Sequence, residues 1–330
     1  LLTLPRFEFV APRSRQELRA HLSAHAAESL LVAGGTDAVP NLKHRLHEPR
    51  YVVFLGRLEE YRSLREEAGE LRLGALVTLA ELARHPAVRG HFPSLAKAAS
   101  LVAGPQLRNM GTLGGNLCLD TRCTYYNQTF FWREALGFCL KKDGTRCHVV
   151  TAGKRCVAAH SSDTAPVLIS LGARVVVDGP DGVRDLAVDD FFVPDGIHNN
   201  VLRPGDVVTE LRVPRPATGW RFGYQKLRPR AAIDFPMLSV AFAARLDGAG
   251  RCEEARLVVS AIAAKPRVIT GLDALRGQRL DDAAVVRLAE LAYKQCHPLT
   301  NVPYDTDYRR EMVPVFVRRA VGEALGAAAS

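Results

Sequence analysis

The 330-residue chain has no run approaching the roughly 20 uninterrupted apolar residues that a membrane-spanning helix needs. Its first residues, Leu1-Leu2-Thr3-Leu4-Pro5-Arg6, lack the basic segment and apolar core of a secretion signal, so a cytoplasmic location without a membrane partner is expected. No Cys-x-x-Cys occurs, which removes the zinc-ribbon and short-spaced ferredoxin signatures. No Ser-His-Asp elbow or H-E-x-x-H is present either, so hydrolase chemistry has no residues to stand on. Basic clusters are scarce despite a net charge of +9. The tightest, Lys226-Leu227-Arg228-Pro229-Arg230 and Arg318-Arg319, lack interleaved aromatics, so nucleic acid is not the expected partner. A basic surface facing an acidic protein, or guarding a polyanionic cofactor, fits the charge better.

What is present is an ordinary globular composition, 47% hydrophobic and 24% charged, on a chain too long for one core. Two or three domains are expected. Ser14-Arg15-Gln16-Glu17 predicts a helix start by its capping box, with Leu18 and Leu22 one turn apart on one face. Strands at Leu30–Ala33 and Tyr51–Phe54, with a helix from about Asp37 between them, make a small βαβ unit. A second unit begins near Leu71. It carries another capping box at Thr78–Glu81, a helix ended by His85-Pro86 and a helix over Pro93–Ala103. Gly111–Asn116 reads as neither helix nor plain strand. Strand-type runs at Gly223–Leu227, Ser239–Leu246 and Ala255–Ile262 precede helical patterns at Lys265–Arg276 and Asp281–Lys294. Together these make an α+β tail of about 115 residues.

Two glycine loops could bind a ligand. Val32-Ala33-Gly34-Gly35-Thr36-Asp37 lies at a strand-to-helix turn, where glycines admit close backbone approach and amides can hold phosphate. Thr112-Leu113-Gly114-Gly115-Asn116 lies about 80 residues on. Each alone is equally an ordinary tight turn; the pair suggests a split pyrophosphate cradle. Between and beyond them, seven cysteines argue against a disulfide framework in such a chain.

Five cysteines (Cys118, Cys123, Cys139, Cys147 and Cys156) fall within 39 residues that show no helical or strand period. Such a stretch needs something to pin it. Cys123, Cys139, Cys147 and Cys156 are separated by 16, 8 and 9 residues, spacing compatible with a metal site and with four unrelated buried thiols alike. Lys141, Lys142, Arg146, Lys154 and Arg155 favour thiolates, and leave iron or zinc open. His148 and His160 read as non-ligands, and Cys118 as a small buried residue beside the second loop. Asp163 reads as a helix cap, and Lys226 as an exposed strand lysine.

Taken in order, Leu31–Asp37, Val102–Asn109, Thr112–Asn116, Ser162-Asp163 and Tyr224-Gln225-Lys226 resemble the flavin subunits of the xanthine oxidase (molybdenum hydroxylase) family along essentially the whole chain. The resemblance implies a two-subdomain FAD-binding α/β domain of the PCMH type with an iron–sulfur insert loop and a C-terminal α+β domain. The expected divisions are 1–56, 57–215 with the insert at about 119–160, and 216–330. It implies FAD contacts at Leu31, Val32, Ala33, Gly34, Gly35, Thr36, Asp37, Ala38, Val102, Thr112, Gly114, Gly115, Asn116, Asp163, Leu211 and Lys226. The insert of about 40 residues is similar to that of the 4-hydroxybenzoyl-CoA reductase branch. This implies a [4Fe–4S] cluster on Cys123, Cys139, Cys147 and Cys156, with Cys118 outside the set.

Further implied are a subunit carrying the molybdenum cofactor and a small [2Fe–2S] subunit, in a dimer of heterotrimers. A low-potential donor such as ferredoxin would deliver electrons, and the partner would remove an aromatic hydroxyl reductively from a CoA thioester. This chain itself would hold no catalytic residue. An oxidative aldehyde or N-heterocycle hydroxylase of the same family, and a flavin scaffold with structural zinc, are the alternatives.

Overall fold

The computed structural model describes residues 2–326, which form three sheets, each with its own helices. Strands β1 (Glu8–Val10), β2 (Ser29–Val32) and β3 (Tyr51–Phe54) make a parallel sheet in the order β1-β3-β2. The crossover helix Arg15–His25 buries Leu18 and Leu22 beneath it. Ser14 caps this helix through the Glu17 amide, while the Glu17 carboxylate accepts from the Arg13 amide, one residue earlier than a capping box requires.

The second sheet is antiparallel and contains β4 (Leu64–Glu67), β5 (Glu70–Gly74), β6 (Arg174–Gly179), β7 (Gly182–Ala187) and β8 (Val207–Pro214). Its order is β4-β5-β8-β6-β7. The long gap between β5 and β6 holds short helices, the second glycine loop and the insert. Thr78 and Glu81 form the full reciprocal cap of helix Leu79–Arg84, which ends at His85 where Pro86 opens the next helix. In this unit the reading of Gly111–Asn116 as non-helical fails: residues Leu113–Leu117 are a one-turn helix. Thr112 caps it by accepting from the Gly115 amide at 3.1 Å, and this cap compensates the poor helix propensity of Gly114 and Gly115.

The third sheet, β12-β11-β10-β9, contains β9 (Trp220–Leu227), β10 (Leu238–Leu246), β11 (Cys252–Ser260) and β12 (Arg267–Val268). Helices Asp282–Gln295 and Thr306–Ala324 cover it with a shared apolar core. The helical pattern at Lys265–Arg276 resolves instead into β12 and a 3-10 turn at Leu272–Leu275, because Gly271 takes a left-handed φ of 86° between them. The helix Thr306–Ala324, with Pro314 inside it, has no counterpart in the expected elements.

The insert contains one helix, Phe130–Ala135, capped by Thr129. It is fastened to all three units. At its neck, Arg122 and Ala159 exchange two backbone hydrogen bonds of 2.8 and 2.7 Å. The fully buried Arg133 donates to the carbonyls of His44 (3.2 Å) and Arg45 (3.0 Å) beside the first sheet. Thr124 donates its amide to Asn301 of the third unit at 2.8 Å, and Asn301 Nδ2 returns a bond to the Val157 carbonyl.

Candidate functional site

The two glycine loops meet back to back. A Cβ on Gly34 would lie 1.8 Å from the Met110 carbonyl oxygen, so only glycine lets the first loop touch the segment leading into the second. Gly35 takes φ 71°, the left-handed turn that sends the chain into helix Ala38–Lys43. Gly114 is packed on Ala75, where a Cβ would stand 2.7 Å from that residue's own. Asn116 ties the second loop to the Ser162-Asp163 turn. Its Oδ1 accepts from the Ser162 hydroxyl (2.8 Å), the Thr164 hydroxyl (2.7 Å) and the Thr164 amide (3.2 Å).

A cavity of about 390 Å³ opens over this junction. Leu31, Val32, Ala33, Gly34, Gly35, Thr36, Asp37, Ala38, Val102, Thr112, Gly115, Asn116 and Asp163 all line it. A second cavity of about 300 Å³ lies on the other side of the loops and shares Leu31, Ala33 and Gly115 with the first. Gly114 faces this second space. Leu211 lies on neither; it is fully buried in β8, facing the core of the second unit. Lys226 is also off the walls, and it is not an exposed strand lysine: Nζ pairs with Asp163 at 2.8 Å and bonds the Leu101 carbonyl at 3.1 Å. Tyr224 donates to the other Asp163 oxygen at 2.7 Å. Burial opposes both charges of this pair, pushing Asp163 up and Lys226 down from their ordinary values. Lys226 therefore supports the cavity from behind, by holding Asp163 and the turn before Val102.

Residues that local pattern did not mark also reach the cavity. Arg122 pairs with Asp37 at 3.1 Å, and its guanidinium lies 3.9 Å over the Phe235 ring. Burial raises the Asp37 carboxyl, with Arg122 acting against that rise. Asp120 on the same wall accepts from Lys141 (2.6 Å) and Tyr126 (2.8 Å). Burial is the largest influence on Asp120, yet bonds from His47, Lys141 and Tyr126 outweigh it and hold the carboxyl at about 2. Cys118 lines both loop cavities, and burial pushes its thiol up to about 12.

Cys123, Cys139, Cys147 and Cys156 converge from the insert on one small cavity; Cys118 does not reach it. Lys141 and Tyr126 line this cavity too, so the Asp120–Lys141–Tyr126 group is the partition between it and the loop cavity. Backbone amides point at the sulfurs: Val150 to Cys147 Sγ at 3.4 Å and Ala158 to Cys156 Sγ at 3.5 Å. Burial pushes the Cys123 thiol up to about 11, with the other three cysteines adding to the rise. Four thiols so placed become thiolates only against a strongly cationic centre. Among the described residues, no three His, Cys, Asp or Glu side chains stand close enough to hold a single metal ion. His148 lines the same cavity, but its Nε2 is engaged by the Phe138 carbonyl at 2.6 Å. His160 is wholly buried against Phe192, with neither ring nitrogen hydrogen-bonded. Burial lowers its pKa to about 3.

Comparison with known proteins places this arrangement. Residues 5–216 match the FAD binding domain in molybdopterin dehydrogenase, and residues 223–324 match the CO dehydrogenase flavoprotein C-terminal domain. The chain belongs to the family of FAD-binding subunits of molybdenum hydroxylases, and it is an oxidoreductase subunit. It is 29% identical over 322 residues to the carbon monoxide dehydrogenase medium chain of Hydrogenophaga pseudoflava, covering 97% of each chain. It is 33% identical to the aldehyde oxidoreductase FAD-binding subunit of Escherichia coli strain K12, covering 82% of this chain and 86% of that one. The solved structure of the Hydrogenophaga pseudoflava carbon monoxide dehydrogenase that lacks the Mo-pyranopterin moiety superposes with a TM-score of 0.81 at 28% identity. That match covers 98% of this chain and 99% of the other. No helix among the described residues is long and apolar enough to cross a membrane.

Proposed function

We propose that this chain holds FAD across the two glycine loops and a [4Fe–4S] cluster on Cys123, Cys139, Cys147 and Cys156, as the electron-transfer subunit of a molybdenum enzyme. FAD supplies the exchange between two-electron and one-electron transfer, and the cluster supplies a further one-electron centre. The protein's own residues give both groups their places. Loop amides and the helix start after Asp37 suit a diphosphate, and the cavities on either side of the loops suit the two halves of a dinucleotide. The observation that supports the cluster is the convergence of the four insert cysteines, Cys123, Cys139, Cys147 and Cys156, on one small cavity.

By its insert, the assembled enzyme is read as a 4-hydroxybenzoyl-CoA reductase. A molybdenum-cofactor subunit, with a small [2Fe–2S] subunit, would remove the aromatic hydroxyl using electrons from a ferredoxin-type donor. A second reading has support of its own, because similar proteins include carbon monoxide, aldehyde and nicotinate dehydrogenase subunits. In that reading electrons leave the molybdenum partner instead of reaching it. Metal analysis and EPR of the dithionite-reduced subunit test the cluster. About four irons with a reduced-cluster signal are expected; one zinc without iron refutes it. Cys139→Ser should lose the iron, whereas Cys118→Ser, Cys252→Ser and Cys296→Ser should keep it. Assay of the native complex with 4-hydroxybenzoyl-CoA and a low-potential donor separates the two directions. Turnover of aldehydes or N-heterocycles alone would sink the reductive reading.

A further inference from the structure

The geometry points to Arg122 as the residue that binds the diphosphate of the flavin nucleotide, carried into the loop cavity by the cysteine insert. This assignment rests on the FAD reading and goes beyond it by naming the cation. Arg122 is the one lysine or arginine among the described residues lining the 390 Å³ cavity. Backbone amides supply donors there, but no other side chain on that wall has a permanent positive charge. The arginine is held in place from two sides. One Nη1 contact goes to Asp37 at 3.1 Å, on the first glycine loop, and the guanidinium face lies 3.9 Å over Phe235. Its backbone is fixed by the paired bonds to Ala159.

Asp37 is the only protein acceptor of the Arg122 side chain among the described residues, which leaves the rest of the fork free. A planar fork of that kind matches a phosphate edge in a way a lysine does not. Asp37 also requires the cation. An unneutralised carboxylate at the helix start would repel the diphosphate that the loop amides attract.

The test uses the full chain, stripped of flavin, with FAD and ADP titrated by calorimetry into wild type, Arg122→Gln and Arg122→Lys. Both ligands should bind Arg122→Gln at least tenfold more weakly, and Arg122→Lys should recover part of the loss. Iron content and thermal midpoint, measured on the same samples, report whether each variant is folded. Arg122→Lys, which keeps the charge, carries the test if Arg122→Gln does not fold; it must then bind FAD and ADP several-fold more weakly than wild type. Wild-type affinity for FAD in a folded variant lacking the guanidinium would overturn the assignment. A loss for FAD without a loss for ADP would overturn it too, because the arginine would then face the ring system. A wild-type chain that takes up no FAD would instead overturn the flavin reading on which the assignment rests.

Discussion

Removing the amine from Lys226 should expose how the loop cavity, the proposed FAD site, is held from behind. Lys226 and Asp163 are almost without solvent contact, with side-chain exposures of 1% and 4%. In Lys226→Met, Asp163 keeps the Tyr224 hydroxyl but loses its only ion-pair partner among the described residues. Breaking a buried pair from one side costs about 3–5 kcal/mol, because the remaining charge is neither solvated nor paired. Over one cooperative unit of about 200 residues, that is a fall in midpoint of roughly 6–20 °C. Asp163→Asn/Lys226→Met removes both charges and should regain most of the loss. The pH dependence has a definite sign. An acid whose folded pKa lies above its unfolded value holds a proton in the folded state alone, so stability rises as pH falls towards about 4. The deficit of Lys226→Met should therefore shrink between neutral pH and pH 5. Differential scanning fluorimetry across that range, with and without FAD, reads all three effects. A deficit below about 1 kcal/mol, or a double variant no better than the single one, would refute the reasoning.

Three other outcomes are expected. His160 is neutral when folded, with a pKa near 3, and gains a proton on unfolding below about 6.5. Wild-type stability should therefore fall with acidification at up to about 1.4 kcal/mol per pH unit from this group, and His160→Leu should flatten the slope in urea titrations at pH 4–6. Gly34→Ala would force a methyl into the Met110 carbonyl, separating the loops, so FAD affinity measured by flavin release should drop at least tenfold. If the insert holds the proposed cluster, chelating its iron should loosen the attachment of Arg122 and weaken FAD retention; unchanged retention after complete iron loss would show that the insert's hydrogen bonds suffice.

The elements that could be read ahead of the structure were those specified by neighbours in sequence. The crossover at Ser14–Leu22, the cap at Thr78–Glu81 and the left-handed turn at Gly35 all follow from residues within one or two helical turns. Helix Thr306–Ala324 escaped because Pro314 interrupts the pattern and because a buried Arg309 sits on its apolar face. That arginine is satisfied only by tertiary partners, the carbonyls of Met237, Leu299 and Ala261. The glycine loops were legible, but their reason was only partly so. Gly34 and Gly114 serve contact between backbones, which spacing does not reveal. Arg122 and Phe235 were missed for a similar reason: their partners lie 85 and 113 positions away, and a lone arginine beside a cysteine looks like a thiolate's counter-charge. Leu211 was placed by family position, and the alternation of β8 turns it inward.

The paired bonds between Arg122 and Ala159 bring the chain's exit from the second glycine loop beside its return, at the spacing of neighbouring strands, about 5 Å. Everything from 123 to 158 therefore leaves and re-enters the fold through one doorway. A two-residue Asn-Gly turn could close that doorway without moving either flank. The insert is in this sense a detachable cassette: a lineage could gain or lose these 36 residues, and with them the proposed cluster, in one step while leaving the glycine loops in register. Excision of 123–158 would show whether a FAD-binding body remains when the cassette is gone.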